Sequence, residues 1–260
     1  MTKSYTGEMA ISYADYLALD ELLSLQRLRA KHGDELLFIV VHQASELWFK
    51  VLLHELELLI TNLQENDVAG ALGRMQRINA LMRIVASQLS ALDTLPPQRF
   101  AEFRGILGSS SGSQSLQFRA LEAISGLRDE HFLHVLREHG DIPPLIQRII
   151  ERPTLQAMFD SMLEHHGVTL ESLYSESQQA PLYLLAESLL EYEQAFGLWR
   201  FLHVQLVERI IGPMTGGTGG TLGAKYLQRT MSQRFFPKLW EVRARIFAGG
   251  AVPPHGASSV

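Results

Sequence analysis

The 260-residue chain contains no cysteine. That single absence excludes disulfides, thiolate nucleophiles, thiolate metal sites and thioether-tethered haem. Strand signals are nearly missing: there are no long alternating runs and no Asn-Gly or Asp-Gly hairpin dipeptides. A net charge of -5 without a basic stripe speaks against a nucleic-acid partner. No apolar run reads as long enough to cross a bilayer, and the start "MTKSYTGEMAISYADY" has no signal-peptide core, so no membrane partner is expected; the lack of cysteine is compatible with a reducing compartment, and cytoplasm is the expected location. No Gly-Lys-Ser/Thr tripeptide exists for a phosphate loop. The dinucleotide fingerprint fails too, because Gly217 and Gly219 are followed by Leu222 at the third position. No Asp or Glu has a histidine three residues later, and "HELEL" at His54 lacks the second histidine of a zincin. A di-iron carboxylate bundle and an H-E-x-x-H zinc site are therefore unsupported.

What the chain does contain is helix after helix. Ser12 and Asp15 form a capping-box arrangement ahead of the apolar run in "SYADYLALDELL". "DELLFIVVHQASELWFKVLLHELELLITNL" reads as one helix from about Asp34 to Asn62, with Glu46 and Lys50 as an i,i+4 pair. "DVAGALGRMQRINALMRIVASQLSALDTL" reads as another, stopped by Pro96 and Pro97. A short helix "QRFAEFRGILG", a loop "GSSSGS" and a helix "QSLQFRALEAIS" follow. Residues 126–180 break into short pieces, expected to pack on the side of a bundle and not to form a second domain. A long helix runs from Pro181 to Ile211, closed by Gly212 and Pro213. Two further helices, "GAKYLQRTMSQRF" and "PKLWEVRARIF", precede a tail, 250–260, expected to fray. The fold class is all-α: one helical bundle domain over 1–260, with 126–180 as a small excursion.

Three features stand out against this background. On the long helix, Leu185, Leu189, Tyr192, Phe196, Trp199, His203, Leu206 and Ile210 recur at spacings of four and three, and His203 is the one ionisable residue on that stripe. A histidine there is either a core residue bonded to a neighbour or an axial ligand to a metal or haem, for which a neutral imidazole in an apolar wall is suited. His42 lies one turn after Phe38 on another apolar helix, either bonded to Glu46 or hanging over a ligand pocket. "IGPMTGGTGGT", from Ile211 to Thr221, carries five glycines. It is either a connector or a loop whose backbone and Thr218 side chain approach a small charged group. Arg104, near the end of a short helix, is either solvated there or a carboxylate clamp.

The segments "SYADYLALDELL", "ELLFIVVHQASELWFK", "FRGILGSSSGSQSLQFR", "LWRFLHVQLVERIIG" and "GGTGGTLGAKYL" occur in an order and spacing that resemble the tryptophan 2,3-dioxygenase family. The resemblance spans about residues 11 to 247, and the segment 126–180 matches least. It implies a helical bundle around non-covalent haem b, with His203 as the proximal iron ligand. It implies His42 as the distal, catalytic histidine contacting the indole nitrogen and Phe38 as an aromatic pocket wall. Arg104 would pair with the substrate carboxylate, and Thr218 would hold the ammonium and carboxylate groups. Ser111 and Gly112 would lie beside the haem edge. Tyr13, Tyr16 and Leu17 would cover the substrate from a neighbouring subunit of a homotetramer. The implied reaction is opening of the indole C2–C3 bond of L-tryptophan by O2 to give N-formyl-L-kynurenine. The sequence departs from the family's usual text at Val41, Ala44, Phe100, Ser113, Thr221 and Leu222. Two alternatives stay open from the residues: a haem oxygenase, even a mono-oxygenating one, acting on a substituted tryptophan or indole, and a haem-binding sensor without turnover.

Overall fold

The computed structural model describes residues 11–30, 33–108, 110–128, 130–140, 142–175, 180–213, 227–228 and 230–248, and among these there is no strand. Three long helices make the frame: α3 (Asp34–Gln64), α4 (Val68–Gln88) and α11 (Ala180–Ile211). Before them stand α1 (Tyr13–Leu17) and α2 (Leu19–Ser24). Between them lie α5 (Pro97–Arg104), α6 (Leu116–Ser125), α7 (Glu130–His139), α8 (Pro144–Ile150), α9 (Leu155–His165) and α10 (Leu170–Ser175). A last helix, α12, covers Pro237–Ala248.

The apolar periodicity explains the packing. Leu52, Leu56, Leu59 and Leu63 on α3 are buried, as are Ala71, Met75, Ile78 and Met82 on α4 and Leu185, Leu189, Tyr192 and Phe196 on α11. Each set falls at spacings of three and four, so it lines one face of its helix. The helix α4 packs against both α3 and α11. Each such large side chain contributes about 1.5–3 kcal/mol by leaving water. The segment 126–180 adds Ile146, Phe159, Met162 and Leu173 to this same core cluster. The short helix α10 in it carries no strong sequence signal.

Some expected features are altered by the fold. Ser12 caps α1, its Oγ accepting from the Asp15 N–H at 3.1 Å. The run then breaks into two helices at Ala18, which takes a left-handed conformation with φ 48; nothing in the sequence marks this break. The α-helical part of "DVAGALGRMQRINALMRIVASQLSALDTL" stops at Gln88, and Leu89–Thr94 continues as a 310 helix. Three residues per turn put Leu89 and Leu92 on one side, and Leu95, the extended residue that ends the 310 helix, is buried beside them. There they join Val41, Phe100, Phe103 and Leu206 in a second apolar cluster. Glu46 makes no ion pair with Lys50; it accepts from Gln117 Nε2 at 2.8 Å. Contrary to the sequence reading, α3 is long and apolar enough to cross a membrane by length and composition. Glu46 and Lys50 interrupt its apolar run, and its second half is buried in the core through Leu52, Leu53, Leu56 and Leu59. Gly212 ends α11 as expected, with φ 83 and its N–H donating to Glu208 O at 2.9 Å.

The chain beyond α11 returns to the bundle through Glu193. This carboxylate on α11 is 3% exposed. Its Oε2 accepts from the Phe235 and Phe236 N–H groups at 2.6 and 2.9 Å, and its Oε1 from Trp240 Nε1 at 2.6 Å and Arg234 at 3.2 Å.

Candidate functional site

The stripe on α11 is buried without interruption as far as Phe196, and past it only Leu206 is buried. Trp199, His203 and Ile210 are half-buried, because there the helix faces a cavity and not another helix. The space in that cavity reachable by the centre of a water molecule is about 250 Å³, far more than a few structural waters need. Phe38 and His42 on α3 line it, as do Arg104 at the end of α5, Ser111 and Gly112 before α6, and His203 on α11. Helix periodicity sets this up: Phe38 and His42 are one turn apart on α3, and Trp199, His203 and Leu206 follow on one face of α11.

One wall is aromatic. The Phe38 ring lies 4.2 Å from that of His42, 5.6 Å from Phe100 and 5.5 Å from Phe103. Phe100, buried in this cluster, brings no hydroxyl, so the wall is apolar. His42 presents its ring to the cavity and donates from Nδ1 to the Phe38 carbonyl at 2.7 Å. Glu46, the partner considered from sequence, is engaged by Gln117 instead. The protein around the cavity holds the His42 pKa below its usual value, although the Phe38 carbonyl and Glu46 pull the other way. A neutral ring with its proton on Nδ1 leaves Nε2 as an acceptor.

On the opposite wall the His203 ring stacks on Trp199 at 5.1 Å and 24°. Burial pushes its pKa down to about 4, with a smaller contribution from nearby His42. At neutral pH it is uncharged, and it makes no hydrogen bond among the described residues. A neutral, unpartnered imidazole facing a cavity is a donor lone pair in want of an acceptor.

A polar group that the sequence reading missed also lines this cavity. Glu122 accepts from Arg119 at 2.9 Å and from Arg200 at 2.7 Å, with all three side chains at 10% exposure or less. The signal was an arginine, Arg200, among apolar neighbours on α11, and an Arg119/Glu122 pair three apart on α6. Trp199 Nε1 and Arg200 Nε, in residues that line the cavity, are buried without a hydrogen-bond partner among the described residues.

The remaining expectations are distributed. Tyr13, Tyr16 and Leu17 are on α1, exposed at 76%, 73% and 39%, and do not line the cavity of their own chain. Ser113 falls in a 310 turn, Gly112–Gln114, beside the cavity. Thr218 and most of the glycine loop lie outside the described residues, as do 223–226 and 229 of "GAKYLQRTMSQRF". The described remainder of that segment is helical at 227, 228 and 230 but leaves the helix over 231–235, where Glu193 takes up the Phe235 N–H, so the helix expected to reach Phe235 ends short of it.

Known proteins share this sequence along almost all its length. The family model described as tryptophan 2,3-dioxygenase matches residues 2–142 and 150–246. The interruption falls in the segment 126–180, where the motifs were weakest. A tryptophan 2,3-dioxygenase of Caulobacter vibrioides is 38% identical over 260 residues, covering 91% of this chain and 98% of the relative. That of Anaeromyxobacter sp. (strain K) is 37% identical over 272 residues, 95% of this chain and 100% of the relative. That of Serratia proteamaculans is 35% identical over 264 residues, 92% and 94%. Similarity of this extent, carried by the same helices that wall the cavity, establishes that the chain belongs to the tryptophan 2,3-dioxygenase family.

Proposed function

We propose that this protein is a haem-dependent enzyme that opens the indole C2–C3 bond of L-tryptophan with O2, giving N-formyl-L-kynurenine. The observation that carries the reading is the facing pair His42 and His203 across one cavity, in a chain of this family. The lining residues fit a haem b: a neutral, unpartnered imidazole for the iron, aromatic walls for the macrocycle, and two orphaned buried N–H donors for its carboxylates. His203 would hold the iron, Trp199 and Arg200 would meet the carboxylates, and Ser111 and Gly112 would border the edge. Bound there, haem supplies dioxygen activation; the protein supplies orientation and electrostatics.

The substrate's two ends need different surroundings. Its indole lies against Phe38, in the apolar wall of Phe100 and Phe103. His42 accepts the indole N–H at Nε2, which its Phe38 hydrogen bond leaves free of a proton. Arg104 pairs with the carboxylate, and Thr218 holds the ammonium and carboxylate groups. Apolar walls exclude water from the reacting ring. The exposed aromatic face of α1 supports a homotetramer in which Tyr13, Tyr16 and Leu17 cover the site of a neighbour. The chain acts as one domain over 1–260.

The test is single turnover. The haem-loaded protein is reduced without air, then given L-tryptophan and O2, and product is read by absorbance and mass. N-formylkynurenine with two added oxygen atoms is expected. Haem-replete protein that yields a singly oxygenated product, or none, overturns the reading.

A further inference from the structure

Glu35 opens α3 and is 3% exposed. A buried carboxylate is costly unless it is well bonded. Its Oε2 accepts two consecutive backbone N–H groups, Arg29 at 2.8 Å and Ala30 at 2.6 Å. No side-chain cation pairs with it among the described residues. Residues 25–30 have no regular secondary structure, so the ties to α3 give their backbone partners that a helix would otherwise supply. A second tie lies two turns on: Gln26 Nε2 donates to Gln43 Oε1 at 2.7 Å, and Gln43 Nε2 to Leu25 O at 3.3 Å.

The clasp sits beside the candidate site. Glu35, Phe38 and His42 are spaced three and four apart, hence on one face of α3. Ala30, whose N–H the clasp holds, packs into the apolar cluster that contains Phe38, Phe100 and Phe103. Upstream the same stretch leads to α1, with Tyr13, Tyr16 and Leu17. One buried carboxylate therefore fixes the root of the N-terminal arm against the back of the indole wall.

We propose that Glu35 is a positioning residue for substrate binding, acting through residues 29 and 30 on the Phe38 wall and on the arm that leads to α1. This rests on the reading of Phe38 and His42 as the indole side of the site. Without the clasp the binding-competent arrangement is only fractionally populated, which weakens apparent affinity by that fraction and leaves the chemistry of bound substrate nearly unchanged.

The experiment compares haem-loaded, full-length wild type with Glu35→Ala, Glu35→Gln, Gln43→Ala and Phe38→Ala. It reads haem content, the change in haem absorbance on titrating L-tryptophan, KM and kcat. Glu35→Ala is expected to raise Kd and KM roughly tenfold, with haem content kept and kcat within about twofold. Glu35→Gln keeps one oxygen able to accept both N–H groups and restores most of the affinity. Gln43→Ala, which buries no charge and tests the idea even if Glu35→Ala does not fold, moves KM the same way by about threefold. Wild-type affinity in Glu35→Ala and Gln43→Ala, beside weakened binding in Phe38→Ala, overturns the clasp alone. Wild-type affinity in Phe38→Ala overturns the reading of the wall and the clasp with it. Loss of haem and kcat together in both Glu35 variants assigns Glu35 to folding and also overturns the proposal.

Discussion

Replacing Glu193 by glutamine changes one atom's chemistry and almost no volume, yet it should be among the most damaging conservative changes in this chain. Both carboxylate oxygens accept: Oε2 from the Phe235 and Phe236 N–H groups, Oε1 from Trp240 Nε1 and Arg234. An amide has one oxygen. Whichever way it is turned, its NH2 faces two donors, so no flip rescues it. In one orientation two backbone N–H groups lose their acceptor; in the other the Trp240 indole and the Arg234 guanidinium do. Arg234 is half exposed and contributes little. Each stranded buried donor costs about 1–3 kcal/mol, so the variant should lose roughly 3 kcal/mol. At about 2–4 °C per kcal/mol for a domain of this size, the melting temperature should fall by roughly 6–12 °C. Far-UV circular dichroism on the haem-loaded protein reads this, with Glu171→Gln as the control. Glu171 and its partner Arg245 are 65% and 58% exposed, so that change should move stability by less than about 0.5 kcal/mol. A Glu193→Gln melting temperature within a degree of wild type would refute the reasoning.

Four further outcomes are expected. His203→Ala should purify folded with little bound haem, measured by the ratio of haem to protein absorbance; normal loading would remove its assignment as the iron ligand. Arg104→Ala should raise KM for L-tryptophan by roughly tenfold or more, by leaving the substrate carboxylate unpaired, while indole itself, which has no carboxylate, is bound unchanged. Phe103→Ala empties the centre of the aromatic wall, where the side chain is 0% exposed, and should cost about 3–5 kcal/mol in denaturant unfolding. Tyr13→Ala with Tyr16→Ala should leave the melting temperature of the protomer nearly unchanged, since both rings are exposed in it, yet raise KM; unaltered kinetics would count against cover by a neighbouring subunit.

Much of the site was legible because helix periodicity is local. Phe38 and His42 one turn apart, and His203 on the Trp199–Leu206 face, are fixed by 3.6 residues per turn whatever surrounds them. So were the Ser12 cap and the Gly212 stop, which depend only on neighbours in the chain. The resemblance to the family rested on the same motifs, and the family match confirmed it across residues 2–142 and 150–246.

What sequence alone could not decide is which partner a polar side chain takes. Glu46 has Lys50 one turn on and His42 one turn back, yet it turns to Gln117, 71 residues away. Glu122 collects Arg119 from its own helix and Arg200 from α11, a pairing that exists only because α6 lies against α11 at the cavity. Glu35 and Glu193 read as ordinary helix glutamates, and become buried acceptors because chain segments without regular structure bring bare N–H groups to them. Helical spacing determined the faces of this protein, since it acts over one turn. Burial determined the partners, since an enclosed charge must be satisfied by whatever the tertiary packing brings within reach.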